Sequence, residues 1–249
     1  MNKRNRSVFL ALAAIIALAC ACPGMSNLTP SGGDQPPPTF APISTIPPVV
    51  VPTVSIELPQ NVLLSDDFSS DTGEMEVFSD GEGSIEIRDG VYAIRSLVNL
   101  WVWGRTDTEF SDTVAEFDTT LISGPANNNV GMGLYCRLSL REDTSLDSYM
   151  LAISGDGYYA ILEFNSGSPT ALVDWTYSDV INQGKDTNKI RATCSGNELT
   201  LEVNGVELAS TNIPSGGATS GYLSLAAVSF ESADPTAEVH FDNLIVSAP

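Results

Sequence analysis

Two carboxylates in the middle of the chain have a spacing that suits acid and base chemistry. Glu116 and Asp118 are two residues apart in an alternating stretch, so a strand would project both from one face. Ala115 and Phe117 would lie on the opposite face. Paired carboxylates are the groups that cleave glycosidic bonds in most glycoside hydrolases. A glycosidase site is one interpretation of this pair, and a solvated acidic strand face is the other.

The chain has a single histidine, so any relay from a serine or cysteine nucleophile to an imidazole must use it. This residue, His240, lies between Glu238 and Asp242 on one face of a predicted strand near the C-terminus. A surface strand residue is the simpler interpretation. We assign His240 no catalytic role.

Two cysteines fall on apolar faces of predicted strands. Alternation groups Cys136 with Met132, Leu134 and Leu138. It groups Cys194 with Ile190 and Ala192. Both cysteines are therefore predicted to point inward, where they either form a disulfide or remain two buried thiols. We predict the Cys136–Cys194 disulfide, and two cysteines with one histidine are too few for a typical zinc site.

Aromatic residues and one arginine supply the candidates for ligand binding. Trp175 with Tyr177, and Tyr158 with Tyr159, lie in or beside predicted loops, where their rings could stack on sugar rings. Tyr135 and Arg137 fall on the strand face opposite Cys136. The predicted ligand-binding set is Tyr135, Arg137, Trp175 and Tyr177, and filling the core is the alternative role for each aromatic side chain.

The charge balance excludes several classes of partner. The 249 residues include 31 Asp and Glu against 11 Lys and Arg, which gives a formal net charge of −20. Nucleic acids and anionic membrane surfaces are bound through clustered Lys and Arg. We therefore predict no nucleic-acid partner, and no membrane contact made by the folded part.

The N-terminus has the pattern of an export signal. Lys3, Arg4 and Arg6 precede an apolar run from Val8 to Ala19, and that run has the length of a signal peptide. The sequence up to Cys20 resembles a bacterial lipoprotein box, which implies cleavage after residue 19 and lipidation of Cys20. Cys22 is a weaker candidate for the lipid, and ordinary secretion after cleavage is the alternative. We predict an exported protein that is held to a membrane by this lipid and faces the extracytoplasmic side.

Residues 20–60 have the composition of a linker. The stretch from Pro23 to Pro59 holds ten of the fifteen prolines, and its only charged residues are Asp34 and Glu57. Proline-rich sequence favours an extended conformation, which suits a tether between a lipid anchor and a folded domain.

Residues 61–249 are predicted to form one all-β domain. Short alternating apolar runs are separated by turn residues at the spacing typical of sandwiches and barrels. Asp89-Gly90 and Asn204-Gly205 each separate two such runs and predict type I′ hairpins. We predict two packed antiparallel sheets in a jelly-roll sandwich.

Several stretches together resemble a known group of domains. They are Leu64–Phe68, Val130–Arg137, Gly155–Tyr159, Asp174–Thr176, Leu199–Gly205 and Phe241–Val246. In this order they resemble the laminin-G-like, concanavalin A-like jelly rolls of bacterial surface proteins, and the related 3-keto-disaccharide hydrolase domains. The resemblance implies a sandwich whose first and last strands pair. It implies no single activity, because such folds carry lectins, glycosidases and adhesion modules.

The resemblance also bears on the acidic residues. Laminarinase-like hydrolases of this superfamily carry Glu-x-Asp-x-x-Glu, and Leu121 stands here where the second Glu is required, which argues against that mechanism. Paired terminal strands would bring Asp66 near Asp242, and jelly rolls of this superfamily often hold structural calcium near such ends. We therefore predict Asp66 and Asp242 as calcium ligands, with simple turn hydrogen bonds as the alternative.

The expected function is non-catalytic binding of a glycan or another surface by a lectin-like sandwich. A carbohydrate-active hydrolase of the 3-keto-disaccharide type is the first alternative. It would require a pocket that gathers Glu116, Asp118 and an arginine such as Arg137 or Arg191. A structural spacer with no small ligand is the second alternative.

Overall fold

The computed structural model describes residues 61–143 and 145–249, and these residues form strands joined by short turns and loops. The predicted signal peptide, Cys20 and the proline-rich linker lie outside the described residues. The strands are β1 Val62–Asp66, β2 Phe78–Ser79, β3 Gly83–Arg88, β4 Val91–Ser96, β5 Val102–Phe110, β6 Thr113–Ser123, β7 Val130–Leu140, β8 Leu146–Ser154, β9 Tyr158–Asn165, β10 Ser168–Tyr177, β11 Asn188–Ser195, β12 Glu198–Val203, β13 Val206–Asn212, β14 Gly221–Ser229 and β15 Ala237–Ser247.

The strands form two sheets with antiparallel pairing throughout. The nine-stranded sheet has the order β13-β12-β11-β6-β15-β4-β3-β2, and β1 pairs with β15. The six-stranded sheet has the order β10-β9-β8-β7-β14-β5. This arrangement confirms the predicted all-β sandwich, and the pairing of β1 with β15 agrees with the expectation that the first and last strands are neighbours.

Both predicted hairpins are present with the expected turn geometry. Asp89 and Gly90 connect β3 to β4 with φ values of 54° and 77°. Asn204 and Gly205 connect β12 to β13 with φ values of 52° and 81°. Two consecutive residues with positive φ define the type I′ turn, whose twist matches that of the flanking strands.

The core lies between the sheets, and a disulfide crosses it. Phe117 and Phe241 of the nine-stranded sheet are buried with ring centroids 5.9 Å apart. Cys136 on β7 and Cys194 on β11 are bonded, with their Cα atoms 6.7 Å apart. The bond joins one sheet to the other across 58 residues of sequence.

Strand β7 departs from regular alternation at Arg137. The φ of Arg137 is 52°, and the register with β8 shifts between Cys136 and Ser139. Leu138 consequently packs with Tyr135 on the outer face of the sheet. The prediction that Leu138 shares a face with Cys136 is therefore wrong, because a bulge reverses the alternation of every residue after it.

The outer face of the six-stranded sheet carries a second apolar cluster, which we call the outer cluster. Its buried members are Tyr135, Leu138, Met150, Ala152, Ala160, Leu162, Phe164 and Ala226, with Trp101, Trp103, Leu146 and Tyr222 packed against them. Strands β7 and β8 are thus buried on both faces, and their sequences are nearly continuous runs of apolar and small residues.

All described residues belong to one compact unit. Within the described part of the chain, no helix has the length and apolar character needed to cross a bilayer.

Candidate functional site

Several connections meet at one end of the six-stranded sheet. β8 turns into its neighbour β9 at this end, and the connections from β6 to β7, β10 to β11 and β14 to β15 cross between the two sheets there. They enclose a pocket of about 230 Å³, which we call the aromatic pocket. Its lining residues are Asn129, Ser154, Asp156, Tyr158, Trp175 and Phe230.

Aromatic rings form the walls of this pocket. Trp175 packs edge-to-face on Phe230, with centroids 5.5 Å apart and ring planes at 76°. Tyr158 contacts Tyr177 in the same manner at 5.6 Å. Trp175 is 36% exposed, Tyr158 39% and Tyr177 53%, so these rings are accessible to a ligand. Exposed aromatic rings beside polar groups are typical of sites that hold small polar ligands.

The walls are braced by rings that extend onto the sheet. Phe230 contacts Trp101 at 5.7 Å, Trp101 contacts Tyr135 at 6.2 Å, and Tyr135 contacts Phe164 at 5.2 Å, all edge-to-face. Trp101 and Phe230 lie over Gly131, where an added Cβ would come within 2.7 Å of each ring. The absence of a side chain at Gly131 therefore allows the two rings to pack closely against the sheet.

The polar side of the pocket is held by short hydrogen bonds. The Ser154 hydroxyl donates to Asp156 Oδ1, and its oxygen accepts the Tyr158 backbone N–H at 3.2 Å. Gly157 completes this turn with φ 97°, a value that side chains disfavour. These contacts fix the Asp156 carboxylate at the pocket.

Glu231 fixes the remaining polar wall. Its Oε1 accepts hydrogen bonds from Asn129 Nδ2 at 2.9 Å and from Asn127 Nδ2 at 2.7 Å. The hydrogen bonds from Asn129 and Asn127 lower the pKa of the Glu231 carboxyl below its usual range. Glu231 is therefore ionised at neutral pH and orients the Asn129 amide.

The four predicted ligand-binding residues divide into two pairs. Trp175 lines the pocket, and Tyr177 lies beside it, where its hydroxyl accepts a hydrogen bond from Gln183 Nε2 at 3.1 Å. Tyr135 has no exposed surface and Arg137 is 2% exposed. The prediction for Tyr135 and Arg137 is corrected, because buried side chains cannot contact a ligand in this conformation.

Arg137 instead holds loops together. Its guanidinium donates to the carbonyl oxygens of Ser111 at 3.2 Å and Ala218 at 3.0 Å, and it pairs with Asp112 Oδ1 at 2.9 Å. The bulge that turns Leu138 outward also directs Arg137 toward these groups. Burial raises the pKa of the Tyr135 phenol, whose hydroxyl has no hydrogen-bond partner among the described residues.

The carboxylate pair on β6 lies on the outer face of the other sheet. Glu116 forms ion pairs with Arg191 and with Lys189 on neighbouring β11. Asp118 accepts a hydrogen bond from Asn243 Nδ2 at 2.9 Å. Leu121 is buried in the core, so no third carboxylate joins the pair at that position. Arg191 therefore lies beside Glu116, as the hydrolase alternative allows, whereas Arg137 is buried in the other sheet.

His240 and the predicted calcium ligands are also engaged in local contacts. His240 Nε2 lies 2.8 Å from Glu238 Oε1 on the same strand. Asp66 is 4% exposed and accepts hydrogen bonds from the Phe68 N–H and the Thr72 hydroxyl.

Asp66 and Asp242 lie opposite different residues in the sheet. Asp66 is opposite buried Leu244 on β15, whereas Asp242 is opposite Asp118 on β6. No group of three or more His, Cys, Asp or Glu residues suited to a metal occurs in the described ranges. The calcium prediction is supported by the sequence alone. The hydrogen bonds of Asp66 match the alternative, in which this residue stabilises a turn.

A larger cavity of about 490 Å³ lies at the opposite end of the six-stranded sheet. Its two aromatic lining residues, Tyr149 and Phe164, are 2% and 6% exposed. Arg141 and Asp147 in its wall pair with each other at 2.7 Å. It offers polar groups without an accessible ring, so the smaller aromatic pocket is the better candidate.

Sequence reasoning missed four residues of the pocket as ligand candidates, namely Asn129, Ser154, Asp156 and Phe230. Each lies at a strand end or in a loop, and they are far apart in the chain. The signal that could have found them is the common end of the strand connections, which requires the strand order.

The comparisons with known proteins identify the fold. No protein-family model and no curated protein matches this chain. The carbohydrate-binding module CBM66 from Bacillus subtilis is similar with TM-score 0.52 and 13% identity, over 70% of this chain and 96% of that one. A Bacillus subtilis protein of unknown function with a galectin-like fold is similar with TM-score 0.58 and 11% identity, over 75% of this chain and 96% of that one. The β-glucanase of Bacillus licheniformis is similar with TM-score 0.56 and 8% identity, over 76% of this chain and 98% of that one.

These neighbours are concanavalin A-like jelly-roll sandwiches, and the present domain has that fold, as the resemblance of its sequence implied. Identities of 8–13% show the shared fold alone. Function must therefore be argued from the site itself.

Proposed function

We propose that this protein binds glycans in the aromatic pocket and does not hydrolyse them. The observation that carries the proposal is the accessible Trp175 ring, braced by Phe230 and facing the Asn129 and Asp156 side chains. A sugar ring has an apolar face of C–H groups and an edge of hydroxyls. The aromatic wall suits the former, and the amide and carboxylate suit the latter.

Binding without cleavage is favoured by the number and state of the carboxylates. Asp156 is the single carboxylate among the six lining residues, whereas glycoside hydrolysis uses a pair. The neighbouring Glu231 has a lowered pKa, which makes it a poor proton donor at neutral pH. The structural neighbours include a carbohydrate-binding module and a β-glucanase, which agrees with a glycan ligand.

We propose further that the domain acts outside the cytoplasm, held to a membrane by a lipid on Cys20 and by the linker of residues 20–60. Support comes from the basic start, the apolar run and the proline content of the sequence. Replacement of Cys20 by Ser should release the protein from the membrane fraction, as measured by fractionation and mass spectrometry of the N-terminus. A Cys22→Ser variant is the matched control and should remain in the membrane fraction.

The binding proposal is tested by titrating the purified protein with soluble oligosaccharides while following tryptophan fluorescence and heat. Trp175→Ala should weaken binding at least about tenfold, which is the expected loss for a ring that covers a sugar face. Tyr222→Ala is the matched control, because Tyr222 contacts Arg105 and lies on the same sheet away from the pocket.

The same samples test the remaining alternatives. Release of reducing sugar, abolished by Asp156→Asn, would replace the binding proposal with an enzymatic one. Absence of binding by a folded protein would favour the structural spacer. Titrations with calcium and with a chelator test the calcium prediction, and a shift of the thermal midpoint with calcium that disappears in Asp66→Asn would support it.

A further inference from the structure

The Ser154, Asp156 and Asn129 side chains of the aromatic pocket offer a ligand acceptors rather than donors, beside the Tyr158 hydroxyl and the Trp175 indole N–H, which can donate. The single proton of the Ser154 hydroxyl is donated to Asp156 Oδ1, and the Ser154 oxygen accepts the Tyr158 N–H. Ser154 therefore has no proton to offer a ligand in this arrangement. Asp156 Oδ2 accepts no hydrogen bond from the part of the chain that the structure describes, so it is an open acceptor.

Glu231 orients the Asn129 amide so that its oxygen is the group left to accept a hydrogen bond. The group that faces the ionised Glu231 carboxylate must be the Asn129 amide nitrogen, because a carboxylate can only accept. The Asn129 Oδ1 is on the other branch of the amide and has no partner among the described residues. A ligand that contacts this wall meets an oxygen acceptor, and a second carboxylate lies directly behind it.

The charges at the pocket have one sign. Asp156 is the single charged residue of the lining, which includes neither lysine nor arginine. The whole chain carries a formal net charge of −20. A ligand with carboxylate or sulfate groups would be repelled at this surface, whereas one with a positive charge would be attracted.

The aromatic walls favour the same ligand. Trp175 and Tyr158 expose ring surface beside the carboxylate, and the faces of such rings attract cations. An ammonium group could therefore contact a ring face and the Asp156 carboxylate together. A neutral hydroxyl could form the hydrogen bond to Asp156 but would lack the attraction between opposite charges.

We propose that the aromatic pocket selects glycans that carry a protonated amine, such as oligosaccharides of glucosamine, over neutral and acidic glycans of the same length. Asp156 is the residue that determines this selectivity. The inference rests on the proposed glycan-binding function and adds the chemical class of the ligand.

Three oligosaccharides of equal length serve as probes: glucosamine, its N-acetylated form and mannuronate. Titrations are run at a pH where the free amine is protonated. We expect the glucosamine oligomer to bind about fivefold more tightly than the N-acetylated one, as partly exposed ion pairs and cation–π contacts allow. The mannuronate oligomer should bind most weakly. The preference for glucosamine should shrink when salt is raised from about 0.05 M to about 0.5 M.

Asp156→Asn removes the charge and retains an oxygen that can accept from Ser154. This variant should bind the glucosamine and N-acetylated oligomers with nearly equal affinity. Asp89→Asn is the matched control, because it removes one carboxylate from an exposed type I′ turn of the other sheet and asparagine suits that turn. The control should retain the full preference.

The outcomes separate the two proposals. Tightest binding of mannuronate, or a glucosamine preference that persists in Asp156→Asn, would overturn the selectivity and leave glycan binding intact. Failure of all three probes and of neutral polysaccharides with a folded protein would overturn glycan binding itself. Loss of the preference in Asp156→Asn alone would support the inference.

Discussion

The outer faces of the two sheets have opposite characters. On the nine-stranded sheet, charged side chains form ion pairs between strands: Glu116 pairs with Arg191 on the neighbouring β11, and Arg88 pairs with Glu238 across the intervening β4. On the six-stranded sheet, the corresponding face carries the outer cluster and a run of rings that reaches the aromatic pocket. One sheet exposes an ordinary solvated face, whereas the other carries apolar side chains on its outer face, has β7 and β8 buried on both sides and supports the site.

The comparison indicates how the site is made rigid. Without neighbours, the Trp175 and Phe230 side chains would have many orientations. Trp175 contacts Phe230, Phe230 contacts Trp101, and Trp101 contacts Tyr135, so the pocket walls are connected to side chains that are fixed by the sheet. The charged face performs no such role, because exposed ion pairs contribute little to rigidity or stability.

The largest effect is expected from the bond that joins the two sheets. Simultaneous Cys136→Ala and Cys194→Ala substitution should lower the free energy of unfolding by about 4 kcal/mol, because the disulfide closes a long loop in the unfolded chain. Urea unfolding followed by fluorescence and by circular dichroism measures the loss. Reduction of the unmodified protein with dithiothreitol is the control and should produce a similar change. Separate transitions for the two probes would show that the sheets unfold independently.

The next effect tests whether the outer cluster is a true core. Tyr135→Ala should cost about 3 kcal/mol, because a fully buried ring is replaced by a cavity. Tyr135→Phe removes a hydroxyl that has no partner among the described residues and should raise stability by about 1 kcal/mol at most. A marked loss in Tyr135→Phe would contradict the structure. Denaturation midpoints give both values.

Arg137 offers a smaller test within the same sheet. Arg137→Ala should cost about 2 kcal/mol, because two loop carbonyls lose their buried donor. Lysine should rescue little of the loss, since it cannot reproduce the fork of donors. The matched control is Arg88→Ala on the charged face, where the side chain is 41% exposed and little change is expected. Equal losses in the two variants would argue against the contrast between the faces.

The smallest effect belongs to the charged face. Glu116→Gln should change stability by less than about 1 kcal/mol, and the change should fade at high salt. It should also leave glycan binding unchanged, because Glu116 lies on the other sheet from the pocket. A loss of glycan binding in this variant would indicate that Glu116 and Asp118 on β6 are functional groups.

Local chemistry explains which parts of the fold were predictable. Asp89-Gly90 and Asn204-Gly205 predict their turns, because few other residue pairs readily adopt two positive φ values in succession. The face of Leu138 was not predictable, because the preceding Arg137 adopts a positive φ that its residue type does not favour. Tertiary hydrogen bonds to Ser111 and Ala218 hold it there, and they are invisible to a pattern within one strand.

The site was predictable in part for a related reason. Trp175 and Tyr177 were identified because exposed aromatics near loops are a local signal. Asn129, Asp156 and Phe230 come from three other connections, and only the strand order brings them to one end of the sheet. Tyr135 was misassigned as a ligand contact because alternation places it outside the core, while the rings that cover it come from distant strands.

The pairing of β1 with β15 sets the direction in which the domain bears load. β15 begins at Ala237, beside the pocket end of the sheets, and runs about 35 Å to Ser247, which is opposite Val62. A pull between a ligand held in the pocket and the chain entering at Val62 acts along the strands. The hydrogen bonds between β1 and β15 are perpendicular to that direction and would be strained together rather than opened one after another. The domain is thus connected to resist extension in shear.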